Sequence, residues 1–234
     1  MAQILVPTTS AEDWKRLLAQ PDLHWKPGFS AMTLARSWES AAKAGFPPEV
    51  AAALRTGRGD WHQLRLLLAI PEYHVALPGG ARASQTDLVA FGRAESGLVA
   101  LAIEGKVDES LGPTVGQKRA EHSAGVDERL SYLERILGLS SPCPDGIRYQ
   151  LLHRTVSALR IAQDFAAASA VMLVQSFSPS SKWHTDFEAF AALFGVSPRI
   201  GSVAAIGDRD GIALYIGWCV GDQAFRSEVI APVV

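Results

Sequence analysis

The stretch TDLVAFGRAESGLVALAIEGK, residues 86–106, decides the fold. Two β-rich runs, 87–93 and 98–104, flank the connection AESG, the kind of short link that closes an antiparallel hairpin. If Arg93 pairs with Gly97 or with Leu98, counting back sets Asp87 against Ile103 or against Glu104. The second register puts two carboxylates directly opposite each other on one face of the sheet. Opposed Cβ atoms lie roughly 4.5–5.5 Å apart, and like charges there are destabilising, so such a pair calls for a reason. Side chains alternate along a strand, so Lys106 shares the face of Glu104, while Gly105 between them leaves room for backbone approach.

Two adjacent carboxylates suit a hard cation: Mg²⁺ takes oxygen ligands at about 2.0–2.1 Å and is usually held by one or two carboxylates plus waters. A lysine beside them is placed to stabilise developing negative charge or to help deprotonate a metal-bound water. The plainer alternative is a set of strand-end charges, with Glu104 and Lys106 as a local ion pair.

Working outward, the hairpin is preceded by helical patterns and by a third strand. Ser10 precedes AEDWKRLLAQ, a capped short helix ending before Pro21. A helix is expected over 30–44, stopped by Gly45 and Pro47, and another in PPEVAAALRTG. WHQLRLLLAI reads equally as a helix or a buried strand. A strand is expected near 73–79, completing a three-strand meander with 87–93 and 98–107. Residues 108–127 carry four glycine or proline breaks and read as a long loop or short helix. Beyond them come an amphipathic helix closed by Gly138, a longer helix over 147–165, a buried strand at 170–177, the helix DFEAFAALFG and two last strands, SVAAIGD and IALYIGWCV. The fold class expected is α/β with a mixed sheet in a single domain, 1–234, whose segment 178–234 extends the sheet.

With 22 Lys+Arg against 24 Asp+Glu the net charge is -2, which gives no bulk attraction to polyanions; any nucleic-acid site must be a local patch. Cys143 and Cys219 sit in no metal-ligand or redox spacing and read as reduced packing residues. No apolar run nears the roughly 18 residues of a membrane span, and no basic leader precedes an apolar one, so a cytoplasmic protein is expected, with no membrane partner. The six histidines show no ligand spacing, the serines no nucleophile elbow, and there is no phosphate-binding glycine loop.

Asp87, sixteen intervening residues and then Glu104-Gly105-Lys106 resembles the PD-(D/E)XK signature of restriction-endonuclease-like nucleases. That superfamily's core is a helix, a three-strand meander, a helix and a fourth strand, the order read above over roughly 30–177. The resemblance implies Asp87 and Glu104 as ligands of Mg²⁺ or Mn²⁺, the Gly105 carbonyl as a further ligand, and Lys106 as the catalytic lysine. Members also carry a glutamate on the first core helix and a polar residue on the second; Glu39 and Gln150 occupy those places, Glu39 as a metal ligand and Gln150 in the catalytic set. Thr86 stands where the motif has proline. The implied activity is metal-dependent phosphodiester hydrolysis of nucleic acid, DNA foremost, with a homodimer left open. The alternative is a catalytically inactive chain of the same fold serving as a binding module.

Other residues have two readings. Glu39 reads also as a solvated helix residue. His153 and Arg154, at i+3 and i+4 from Gln150, share its helix face for phosphate contact or for packing. Lys118, Arg119 and His122 in the long loop face the same choice.

Overall fold

The computed structural model describes residues 7–80 and 83–227; the apolar opening at residues 4–6 lies outside them. A 3₁₀ turn (Ala11–Leu17) leads into helices α1 (Pro21–His24), α2 (Ser30–Ala41) and α3 (Pro48–Leu54). The meander follows as β1 (Arg65–Val75), β2 (Ser84–Ala94) and β3 (Gly97–Lys106). Helices α4 (Val115–Arg119), α5 (Ala124–Leu137) and α6 (Tyr149–Asp164) then lead to β4 (Ser169–Ser176), and α7 (His184–Ala192) to the terminal pair β5 (Ser202–Arg209) and β6 (Ile212–Val220).

The fold is mixed α/β around one six-stranded sheet in the order β1-β2-β3-β4-β6-β5. The meander is antiparallel, β4 runs parallel to β3, β6 runs parallel to β4, and β5 is antiparallel to β6. A core lies on each face. On one side α5, α6 and α7 pack Leu133, Leu151, Val156 and Phe187 against Val89, Ala102 and Val174. On the other, α2 and α3 pack Leu34, Trp38 and Leu54 against Leu88, Leu101, Ile103 and Leu173.

This double covering explains the unbroken apolar runs. All eight residues of β4 are buried, as is β3 from Val99 onward, because a strand roofed on both faces has no solvent side to alternate with. Truncating a central side chain such as Leu101, with no exposed surface, costs about 2–5 kcal/mol. Helix α5 shows the ordinary amphipathic case: Leu130, Leu133 and Leu137 form its buried stripe, and Gly138 at φ 68° closes it in a left-handed conformation that glycine adopts without strain.

Two local expectations change. The ambiguous WHQLRLLLAI divides into a 3₁₀ turn, Gly59–Gln63, and the first half of β1, so the first strand begins at Arg65 rather than near residue 73. The β2–β3 connection is tighter than four residues, since Ala94 pairs with Gly97 and only Glu95 and Ser96 turn. The loop 108–127 contains α4 and the start of α5. Cys143 and Cys219 are both buried and free.

Candidate functional site

The β2–β3 ladder pairs Arg93 with Leu98 and Leu88 with Ile103, the register that sets Asp87 level with Glu104. Beyond Ile103 the strands fork. On its other side β3 stays paired with β4 as far as Lys106 opposite Ser176, and the Lys106 carbonyl accepts from Phe177 N at 2.6 Å. Backbone groups alternate sides along a strand, so the Gly105 N–H and carbonyl point back toward β2. That N–H is taken up by a side chain, donating to Asp87 Oδ2 at 2.9 Å. The fork thus lets a carboxylate sit where a strand partner would otherwise be.

Glu104 is 2 % exposed, and both of its carboxylate oxygens accept hydrogen bonds. Its Oε1 accepts from Gln150 Nε2 at 2.6 Å and from Lys106 Nζ at 2.8 Å, and its Oε2 from Arg154 Nε at 2.5 Å. An isolated carboxylate at this depth is strongly disfavoured, and these donors are what make ionisation tolerable. Burial alone would raise its pKa, but Arg154 and Lys106 outweigh burial and hold it at about 2. Asp87 has the opposite balance: burial, then the neighbouring Glu104 charge, push it up to about 7 against the partial relief from Arg154, Lys106 and the Gly105 N–H. Arg154 Nη2 lies 3.9 Å from Asp87 Oδ1, so one guanidinium spans both acids.

Lys106 is 6 % exposed. Burial would lower its pKa, yet Glu104 and Asp87 more than compensate and raise it above the ordinary lysine value. A lysine so held carries its proton at neutral pH and acts as a fixed positive charge, not as a base.

A third carboxylate completes the group. Glu72 sits in β1 between Pro71, which pairs with Leu88, and Tyr73, which pairs with Thr86, so it stands level with Asp87. Its Oε2 accepts from Gln85 Nε2 at 2.7 Å, and burial followed by the Asp87 charge raises its pKa to about 8. Its backbone is left-handed, φ 54°, an uncommon conformation for a residue with a side chain. Sequence reasoning did not reach Glu72 because the strand expected from residue 73 excludes it; carrying the hairpin register one strand further would have found it.

Helix α6 supplies the other wall. Gln150 and Arg154, four apart, both reach Glu104, and Arg154 Nη1 also donates to Ser84 Oγ at 2.9 Å. His153 Nδ1 is 3.0 Å from the same hydroxyl, and burial, reinforced by the Arg154 charge, keeps its pKa well below the usual imidazole value, so it is neutral. A cleft of about 400 Å³ opens beside Lys106, Gln150, His153 and Arg154.

Asp87, Glu104, Gly105, Lys106 and Gln150 therefore come together. Glu39 does not. Its Oε1 accepts from Thr8 Oγ1 at 2.8 Å and from Trp14 Nε1 at 2.7 Å, so it tethers the N-terminal segment to α2 and lines a separate hollow of about 840 Å³ beside β1. These contacts tie it to Thr8 and Trp14, whereas its expected place is among the metal ligands. The loop cations are spoken for as well: Lys118 pairs with Glu121 at 2.6 Å, and Arg119 pairs with Asp145 and Glu134.

Among the described residues no three His, Cys, Asp or Glu side chains form a ready chelating group. The donor chemistry at the fork nevertheless suits a hard cation bound by two carboxylates plus waters. Burial raises both Asp87 and Glu72, and a neighbouring negative charge, Glu104 for Asp87 and Asp87 for Glu72, raises them further; a divalent ion would relieve that repulsion. The ligands available are Asp87, Glu104 and the Gly105 carbonyl.

A family model described as Domain of unknown function (DUF6946) matches residues 7–223, which span all six strands and the whole site. The chain belongs to that family. No curated protein and no solved structure matches this DUF6946 chain. Among its described residues no helix is long and apolar enough to cross a membrane.

Proposed function

We propose that the chain is a nuclease of the restriction-endonuclease-like kind, hydrolysing phosphodiester bonds of nucleic acid, DNA foremost, with Mg²⁺ or Mn²⁺. The observation that carries this reading is the convergence of Asp87, Glu104 and Lys106 at one strand fork with Gln150 reaching them from the next helix. The order of α2, the meander, α6 and β4 supports the same core.

Asp87, Glu104 and the Gly105 carbonyl are the groups that would hold the cation. When bound, it supplies Lewis-acid polarisation of a phosphoryl oxygen and a more acidic water. Lys106, kept protonated, is the group that balances negative charge building on the phosphoryl oxygens. Gln150 and Arg154 orient Glu104, and Arg154 also reaches toward Asp87, so one helix sets the positions of both acids.

One observation favours the second reading, a binding module of the same fold. The Glu104 carboxylate is already satisfied by Gln150, Lys106 and Arg154, so its charge is balanced by the protein's own side chains. Incubation of the full chain with plasmid, single-stranded DNA and RNA in Mg²⁺ or Mn²⁺ separates the two. Cleavage lost in Asp87→Ala and Lys106→Ala supports the nuclease; cleavage undiminished in both variants, or none with either metal, sinks it.

A further inference from the structure

The cleft of about 400 Å³ beside the fork has a one-sided charge. Lys106, Arg129 and Arg154 line it, and among the described residues no Asp or Glu does, in a chain whose net charge is -2. Glu104 lies beneath the cleft lining with its oxygens turned to Gln150, Lys106 and Arg154. Arg129 is fixed by donating to the carbonyls of Leu77 and Pro78.

The first turn of α6 meets the same space through Tyr149 and Gln150. This helix of sixteen residues has no acidic residue in its first turn and no side-chain cap, so the positive end of its dipole adds to the three cations. Ser84, whose hydroxyl meets Arg154, Ser157 and His153, holds Arg154 in place at the wall. Cations, a helix N-terminus and neutral polar groups around one open cleft are the requirements of a phosphate group.

Resting on the nuclease reading, we propose that this cleft binds the terminal phosphate of a single nucleic-acid strand, which makes the substrate a phosphorylated strand end. Size and charge both argue for an end. Pockets of roughly 300–1,000 Å³ hold small ligands, whereas a duplex, whose major groove alone is about 12 Å wide, does not enter one. A terminal phosphate monoester carries about -1.5 to -2 near neutral pH against one charge on each internal diester, so a wall of cations prefers the end.

The test is calorimetric binding of thymidine pentanucleotides to the full chain in EDTA, where no cleavage occurs and the outcome is independent of catalysis. The oligonucleotides carry a 5′-phosphate, a 3′-phosphate or hydroxyls at both ends. One phosphorylated form is expected to bind at least about tenfold more tightly than the hydroxyl form. Ser110→Asp, which places a carboxylate at the exposed rim of the cleft, is expected to abolish that preference with thermal stability unchanged. Arg129→Gln is expected to do the same, and circular dichroism reports whether it still folds. Equal affinity for all three oligonucleotides, or a preference that survives Ser110→Asp, overturns the proposal. So does thymidine monophosphate binding as tightly as the best strand, which would make the ligand a free nucleotide. Cleavage without end preference would defeat this inference alone, and end preference without cleavage would defeat only the nuclease.

Discussion

Arg154 donates through Nε to Glu104 Oε2 at 2.5 Å, with 8 % and 2 % of the two side chains exposed. A guanidinium fits this role better than an ammonium, because its planar fork serves Glu104, Ser84 and the flank of Asp87 from one rigid group.

Arg154→Met keeps the volume and removes the charge. Loss of one partner from a buried pair typically costs 3–5 kcal/mol, and since Lys106 and Gln150 still serve Glu104 we expect about 3 kcal/mol, read from urea unfolding. The double variant Arg154→Met with Glu104→Gln is expected to lose less than the sum of the single losses, because the stranded charge is gone.

Stability should fall with rising pH across the neutral range. Asp87 titrates at about 7 in the fold against an ordinary 3.8, and Glu72 at about 8 against 4.5. Between those values the folded chain keeps protons that the unfolded chain has released, so the stabilisation present below about pH 4 is lost as pH rises toward 8. Glu104, depressed to about 2, acts oppositely: its contribution is present above 4.5 and is lost in acid as pH falls toward 2. Urea midpoints from pH 4.5 to 8.5 check this, and Asp87→Asn should flatten the neutral slope; an unchanged slope would show that Asp87 is ionised throughout.

The central strands were readable because two-sided burial gives unbroken apolar runs; the hairpin was readable as a hairpin, but AESG leaves two registers open, and the pairing of Ala94 with Gly97 selects one. β1 was half hidden, since an edge strand with a register shift between Leu66 and Leu68 exposes Leu67 and Leu68 and follows no clean alternation. That shortfall also concealed Glu72. The choice of partner for Arg154 was out of reach, because its helix face permits phosphate or carboxylate alike and only the tertiary distance to Glu104 decides. Glu39 shows the same limit from the other side: the helix pattern puts it on α2, and only the tertiary contacts show its carboxylate meeting Trp14 and Thr8.

Gly105 has a packing role beside its backbone contact. A Cβ there would stand 3.2 Å from Leu34 Cδ2 and 3.6 Å from Asp87 Oδ2, so alanine requires Leu34 to shift a few tenths of an ångström in a tight core. We expect Gly105→Ala to destabilise by about 1–2 kcal/mol in thermal or urea unfolding and to weaken any cation binding, since Leu34 and Asp87 flank the same atom.

Glu39 provides the internal control. If it only tethers the N-terminal segment, Glu39→Ala leaves Mn²⁺ binding at the wild-type level, while Asp87→Ala abolishes it. The Trp14 indole N–H and the Thr8 hydroxyl would lose their shared acceptor, a loss of about 1–3 kcal/mol for a partly buried pair of donors. Limited proteolysis should then cut sooner near the 3₁₀ turn Ala11–Leu17, which Glu39 holds against α2. Calorimetry of Mn²⁺ binding with both variants decides the matter: a loss of affinity in Glu39→Ala comparable to that in Asp87→Ala would return Glu39 to the cation site and contradict the separation drawn from its contacts.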